Sequence, residues 1–358
     1  MKSTLHIYVP DSYDDVHRKR MVPPIYPFKN GAHSFIEKAA EFGAWTERVQ
    51  LVQHLADADI MLPCYYVEYY KENNKLHEFK AFHQQAIEAH VQPVYFSAGD
   101  LALIPPLGVY DLFVHGIFNP LSKSNLEIYP NFFPDPKDKY YHGSISYHHT
   151  KSLLPLCGFC GQAYAGWEKK YTDYARVIKQ QLKRSIDKWS NEAPPLRSAS
   201  YTRSKILNSL QHSTRIACNF ILEKKYRGGA SHATEKEALS LRYFENMQQS
   251  LYIICYRGTG NFSVRFYETL AAGRIPVTIR SNDLLPFQGM IDWEVFPMVP
   301  ENRIYEADKI IAAHYAAHSE HTLLQLQQYA RSLYEQYFCY QGFMQTFVDR
   351  YLTKTQQS

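Results

Sequence analysis

Apolar positions in this chain come in short runs between polar turns, and the runs alternate with stretches of helical period. Residues 5–10, 60–62, 94–96 and 112–115 are runs of strand length, and a helical pattern over 76–90 stands between the second and third. A helix is also expected over 34–42, whereas 48–55 shows no clear period. Farther along, 153–159 reads as a buried strand. Tyr174, Ile178, Leu182, Ile186 and Trp189 then mark one face of a long helix, with Arg176, Lys179, Lys183, Arg184 and Lys188 elsewhere around it. A last helical stretch, 322–352, carries Leu323, Leu326, Leu333, Tyr337 and Phe347. Strands alternating with helices predict an α/β layer architecture. Between 119 and 151 the period dissolves into Pro, Asn, Tyr and His, as in an interdomain connection or an active-site loop.

The most ordered pattern lies in residues 251–304. An apolar run at 251–255 has the length of a buried strand, and a polar loop with Arg257, Gly258, Gly260, Asn261 and Ser263 follows it. Helical spacing then covers 264–272, with Phe266 and Leu270 one turn apart and Gly273 at the C-cap position. A second apolar run, 275–279, completes a strand–loop–helix–strand unit of parallel-sheet type. Such units bind anions where the loop enters the helix, because unpaired N–H groups and the helix dipole converge there. Arg257 and Arg265 surround that point, and Ser263 is the expected N-cap. Glu268 lies three residues after Arg265, so both project from one helix face, roughly 4.5 Å apart along the axis. A guanidinium fork matches phosphate oxygens, and an ionised carboxylate accepts from ribose hydroxyls. The spacing therefore describes a nucleotide-sugar site, although a plain surface Arg–Glu pair beside a glycine turn has the same spacing.

The ordered string R-G-x-G-N-x-S-x-R-F-Y-E-x-L-x-x-G-R-I-P-V, followed by L-P-F and a Trp, resembles the exostosin family, glycosyltransferase family 47. The matching residues run from Arg257 through Ser263, Arg265, Phe266, Tyr267, Glu268, Gly273 and Pro276 to Leu285, Pro286, Phe287 and Trp293. Residues 244–250 are similar to the helix that precedes the same strand in the family, while the N-terminal half matches only loosely. The resemblance implies an inverting, GT-B-like enzyme with two Rossmann-type domains facing a cleft. The expected division is an acceptor-side domain over 1–150, a nucleotide-sugar domain over 151–330, and a helix over 331–358 packing back on the first. It implies Arg257 and Arg265 near the diphosphate, Ser263 on a phosphate oxygen, Glu268 on the ribose, and Gly260 and Asn261 in the same loop. A UDP-sugar donor and a glycan or glycolipid acceptor are expected, as in bacterial surface-polysaccharide synthesis.

Composition narrows this reading at the edges. A chain of 358 residues has room for two buried cores. A formal charge of +4 is too mild to argue for nucleic acid. No run reaches the roughly 18 apolar residues of a membrane span, and the N-terminus does not read as a signal peptide. A soluble, cytoplasmic member is therefore expected, unlike the anchored animal and plant exostosins, with peripheral membrane association and oligomeric state left open. The cysteines, at 64, 157, 160, 218, 255 and 339, sit mostly in apolar runs and suit free thiols. Cys157-Gly-Phe-Cys160 has no second pair for zinc. Asp57-Ala58-Asp59 reads as a turn entering a strand, and His142, His148 and His149 as loop residues, so no metal and no other cofactor is expected. The basic run Lys224, Lys225 and Arg227 reads as a solvated loop.

Direct displacement at an anomeric carbon needs a base for the acceptor hydroxyl. Asp100 is the first candidate, since it follows the 94–96 strand in a Gly-Asp turn. Asp11, after the first strand, and His115, after another, are the alternatives. Two further function classes stay open: a non-catalytic partner subunit of a transferase complex, and an anionic-glycan binding module using Lys224, Lys225 and the basic helix.

Overall fold

The computed structural model describes residues 3–28, 42–118, 125–164, 166–224, 232–280 and 284–354. In it the apolar runs become strands of two wholly parallel sheets. The first half of the chain builds β1 (Leu5–Tyr8), β2 (Val49–Val52), β3 (Ile60–Met61), α1 (Val67–Glu72), α2 (Leu76–Glu88), β4 (Gln92–Phe96), β5 (Asp111–Val114) and β6 (Asn125–Ile128). Their sheet order is β2-β1-β3-β4-β5-β6. The helix α2 buries Phe79, His83 and Ala86 at helical spacing, and β4 and β5 are buried along almost their whole length, as a sheet covered on both faces requires. After α3 (Pro136–Tyr140) the second half builds β7 (Leu156–Gln162), α4 (Trp167–Ile186), α5 (Ala199–Gln211), β8 (Ala217–Glu223), α6 (Ala233–Gln249), β9 (Tyr252–Cys255), α7 (Val264–Ala271), β10 (Ile275–Arg280) and β11 (Met298–Pro300). This sheet runs β11-β10-β9-β7-β8. Three helices close the chain: α8 (Ala307–Ala317), α9 (Glu320–Leu333) and α10 (Tyr340–Lys354). The whole is an α/β fold of two domains, each a parallel sheet with its helices.

Both sheets reverse their direction of growth once, between β1 and β3 in the first and between β7 and β9 in the second. Ligands of open parallel sheets bind beyond the carboxyl ends of the strands at such a reversal. In the first sheet that crevice is filled from within. The Asp11 carboxylate accepts from the Cys64 N–H at 2.8 Å and from the Tyr70 hydroxyl at 2.6 Å, tying the end of β1 to the end of β3.

The final helical stretch is two helices, not one. A wide, π-helical turn over Tyr334–Phe338 ends at Cys339, whose extended backbone breaks the axis. Leu333, Tyr334 and Phe338 belong to the second core, whereas Tyr340, Phe343, Met344, Phe347, Val348, Tyr351 and Leu352 belong to the first. The return to the first domain thus starts at Tyr340 rather than at 331. Asp111, fully buried, accepts from the Tyr351 hydroxyl at 2.8 Å and from Lys354 Nζ at 2.9 Å and locks α10 onto β5. The forward crossing also comes earlier than 150, because Phe133, Tyr140 and Ile145 already pack on the second core. Within the stretch expected to lack regular structure lie β6 and α3, each too short to show a period. Residues 48–55, without a clear period, include β2. Of the helix expected over 34–42, all but Phe42 lies outside the described residues, as do Lys225 and Arg227; Lys224 is exposed.

Further contacts join the halves. Lys71 pairs with Asp187 at 2.6 Å, Asn191 Nδ2 donates to the Leu101 carbonyl at 2.8 Å, and the buried Glu192 carboxylate accepts from the Phe118 N–H at 2.9 Å. Beside these contacts, glycines allow backbones to meet: a Cβ on Gly260 would fall 2.0 Å from the Asp100 carbonyl oxygen, and one on Gly116 would fall 2.6 Å from that of Asn261.

Candidate active site between the two sheets

At the carboxyl end of β9 the chain turns through Tyr256 and Arg257 into the loop before α7. Ser263 takes the N-cap position with extended backbone, and its hydroxyl makes no cap bond. The first-turn N–H groups of a helix have no acceptor one full turn back; in α7 that of Phe266 donates to the Ser263 carbonyl at 3.1 Å. Arg257, Ser263, Phe262 and Phe266 face an interdomain cleft together with His115 and Ile128 of the first domain, and Thr278, Leu284, Leu285 and Pro286 of the second. The L-P-F…W string serves this wall: Trp293 Nε1 donates to the Pro286 carbonyl at 2.9 Å, and its ring packs on Phe266.

The Arg257 guanidinium is buried 5.1 Å from the centre of the Phe118 ring. Its Nη1 reaches the Gly258 carbonyl at 3.3 Å, but Nε and Nη2 are buried with no acceptor. Arg265 turns toward β7, where its guanidinium lies 4.0 Å over the Phe159 ring and Nη2 donates to the Cys160 carbonyl at 2.8 Å; Nε is orphaned. Between them stands Arg203 of α5. It donates to the Gln162 carbonyl at 2.7 Å and the Arg257 carbonyl at 2.8 Å, so it spans the ends of β7 and β9 at the sheet's reversal point. Burial, then the charges of Arg265 and Arg257, push its pKa down to about 10. Arg242 of α6 lies beside Cys160, pairs with Glu223, and keeps a buried, unpartnered Nε. A buried N–H without an acceptor costs on the order of 1–3 kcal/mol, more when charged, so four arginines sharing the defect at one sheet end describe a place for an anion.

Sequence reasoning reached Arg257, Ser263 and Arg265 but missed Arg203 and Arg242, which sit on separate helices and share no local spacing. Glu268 accepts from the buried Tyr243 hydroxyl, which ties α7 to α6. Gly260 and Asn261 form part of the domain seam: Asn261 lines the cleft, and its Nδ2 donates to the Ile117 carbonyl at 2.8 Å.

Of the three base candidates, the cleft contains only His115. Its Nδ1 lies 3.1 Å from the Tyr129 carbonyl, which can only accept, so Nδ1 carries the proton and Nε2 the lone pair. Its ring lies against Tyr129 and Phe262, and burial pushes its pKa down to about 4. Asp100 is exposed and meets the second domain through its main chain. Asp11 is held at the crevice of the first sheet. An acid the sequence did not single out, Glu68 of α1, is buried against the end of β4. It accepts from the Ser97 hydroxyl at 2.5 Å and the Ala98 N–H at 3.0 Å, and burial raises its pKa to about 7.

Among the described residues no three His, Cys, Asp or Glu side chains come together as a metal-holding group. Asp59 accepts from the His6 N–H at 2.8 Å, at the end of β3 opposite the cleft, and His148 lies 3.1 Å from the Gln248 carbonyl. All six cysteines are free. No described helix is long and apolar enough to cross a membrane.

Residues 169–314 match the family model of the Exostosin GT47 domain. A probable beta-1,4-xylosyltransferase (IRX10) of Arabidopsis thaliana is 35% identical over 72 residues, covering 20% of this chain and 18% of that protein. A probable glucuronosyltransferase (GUT1) of Oryza sativa subsp. japonica is 33% identical over 72 residues, 20% of this chain and 17% of that one. The matched stretch thus spans less than a fifth of these relatives' length. A crystal structure of TarM aligns with a TM-score of 0.34 and 10% identity, over 83% of this chain and 55% of that one.

Proposed function

Through residues 169–314 the chain belongs to the exostosin family, glycosyltransferase family 47, and from that premise we propose that it transfers a sugar from a nucleoside-diphosphate donor to a glycan acceptor with inversion. The observation that carries the proposal is the set of buried, unpartnered arginine N–H groups at the reversal point of the second sheet. A diphosphate against Arg257, the Ser263 hydroxyl and the first turn of α7 would satisfy the orphaned donors there, while Arg203 and Arg265 add charge from behind. Negative charge grows on that diphosphate as the sugar leaves, and fixed donors stabilise it without reorganising. The acceptor hydroxyl approaches from the first domain, where His115 Nε2 orients it and takes its proton. A pKa near 4 makes His115 a weak base in the free protein; a bound diphosphate nearby raises it by favouring the imidazolium.

A panel of UDP-, GDP- and CMP-sugars, scored for nucleotide release and thermal stabilisation, tests this reading, with UDP-sugars the expected class. Stabilisation by a donor without nucleotide release would leave the non-catalytic partner reading, a subunit that keeps the nucleotide pocket, in its place. Because the arginines carry the leaving-group charge, turnover is expected to survive EDTA; loss restored by manganese or magnesium would count against the mechanism.

Glu268 is assigned to the ribose hydroxyls. Glu268→Ala is expected to weaken donor binding by about 1.5–3 kcal/mol by calorimetry, the range of a charged hydrogen bond. Tyr243→Phe removes only the Tyr243 hydrogen bond to Glu268 and should leave donor affinity near normal. Equal losses in the two variants would mean that Glu268 merely braces α6 on α7.

A further inference from the structure

The helix α4 is packed the wrong way round for a core element. Among its described side chains only Val177 is buried, and the edge that meets the protein is largely polar. The Asp173 carboxylate accepts from Ser198 at 2.6 Å, Gln180 donates to the Asn191 carbonyl at 2.8 Å, and Arg184 donates to the Ser190 carbonyl at 2.6 Å. The apolar edge is bare: Trp167 is 66% exposed, Tyr171 64%, Ile178 47%, Leu182 62% and Ile186 89%. At 100° per residue these five side chains fall within roughly a third of the helix circumference and form one stripe about 30 Å long. Arg176, Lys179 and Lys183, all exposed, form a band beside it. The helix holds six Lys and Arg against two acids, a surplus equal to the +4 formal charge of the entire chain.

We infer that α4 lies in the interface of an anionic lipid bilayer, with the Trp167-to-Ile186 stripe among the upper acyl chains and the Arg176, Lys179 and Lys183 band on the headgroups. A bare apolar stripe with Trp and Tyr toward one end and a basic band alongside is the design of an interfacial helix. Antiparallel pairing with a second copy would bring two basic bands together, so charge disfavours that occupant. The position suits a transferase: α4 starts just past the carboxyl end of β7, so an embedded α4 keeps the cleft close to the membrane surface. This inference rests on α4 alone and stands whether or not the donor site is as described above.

The test is co-sedimentation of the intact protein with vesicles of phosphatidylcholine alone or mixed equally with phosphatidylglycerol. Wild type should pellet with the mixed vesicles, and less so as salt rises. Two double variants change only exposed positions: Ile178→Glu with Leu182→Glu, and Lys179→Glu with Lys183→Glu. Each should keep the wild-type thermal midpoint and lose about tenfold or more of vesicle partitioning. Should the apolar pair fail to fold, the charge pair still decides. No pelleting of wild type, or undiminished pelleting of the variants, overturns the inference. So would self-association abolished by Ile178→Glu with Leu182→Glu, or binding to a soluble anionic glycan without binding to vesicles.

Discussion

Arg257→Lys is expected to lower turnover by about 10²-fold or more while donor affinity falls by less, the scale seen when one preorganised donor is removed from a developing anion. The expectation follows from where this guanidinium sits. It is buried at the cleft, near the Phe118 ring, with Nε and Nη2 unpartnered. Lysine keeps the charge but replaces a planar fork with a mobile, strongly hydrated point charge. Interactions stronger in the transition state than in the ground state appear in kcat, whereas uniform binding appears in KM. Arg265→Lys provides the contrast, because that side chain stacks on Phe159 and already donates to the Cys160 carbonyl of β7. Its loss should cost packing and long-range charge, and so less turnover than at Arg257. Steady-state kinetics at saturating acceptor decide: near-normal kcat with a raised donor KM in the Arg257 variant would reduce this residue to an anchor.

The difference between these two arginines was not legible in the sequence. Both flank the loop, and a motif records their order but not that Arg257 turns to Phe118 and Arg265 to β7. What was legible is what local periodicity encodes. The expected strand–helix–strand over 251–255, 264–272 and 275–279 appears as Tyr252–Cys255, Val264–Ala271 and Ile275–Arg280, with Gly273 in the left-handed conformation after the helix. Arg203 is the opposite case. It reaches the site from α5, more than fifty residues away, and its importance comes from the strand order β9-β7-β8, which no spacing in the chain records. Burial on α4 escaped for a related reason, since an amphipathic pattern shows that a helix has an apolar face but not what that face meets. Cys339 is a third instance: apolar spacing runs on across it, and only the division of side chains between two cores shows that the chain changes domains there.

Glu68 and His115 should make stability depend on pH in opposite senses, and single substitutions should separate the two. Burial raises the Glu68 carboxyl from 4.5 to about 7, so the folded protein keeps a proton that the unfolded chain has released. That contribution is complete below about 4.5 and is lost as pH rises through 7. Burial lowers His115 from 6.5 to about 4, so the folded protein refuses a proton that the unfolded chain accepts. Its contribution is complete above about 6.5 and is lost as pH falls toward 4. At about 1.4 kcal/mol per unit, each is worth about 3 kcal/mol, and between pH 4.5 and 6.5 they largely cancel. Glu68→Gln keeps an acceptor for the Ala98 N–H and removes the buried charge. It should raise stability at pH 7.5 by a large part of that about 3 kcal/mol and expose a profile that climbs from pH 4 to 6.5. His115→Gln should do the reverse, leaving stability that falls between pH 4.5 and 7. Urea unfolding across this range is the measurement. If both variants follow the wild-type pH profile, neither group titrates as its burial requires, and a neutral His115 with its Nε2 lone pair open to the cleft has lost its physical support.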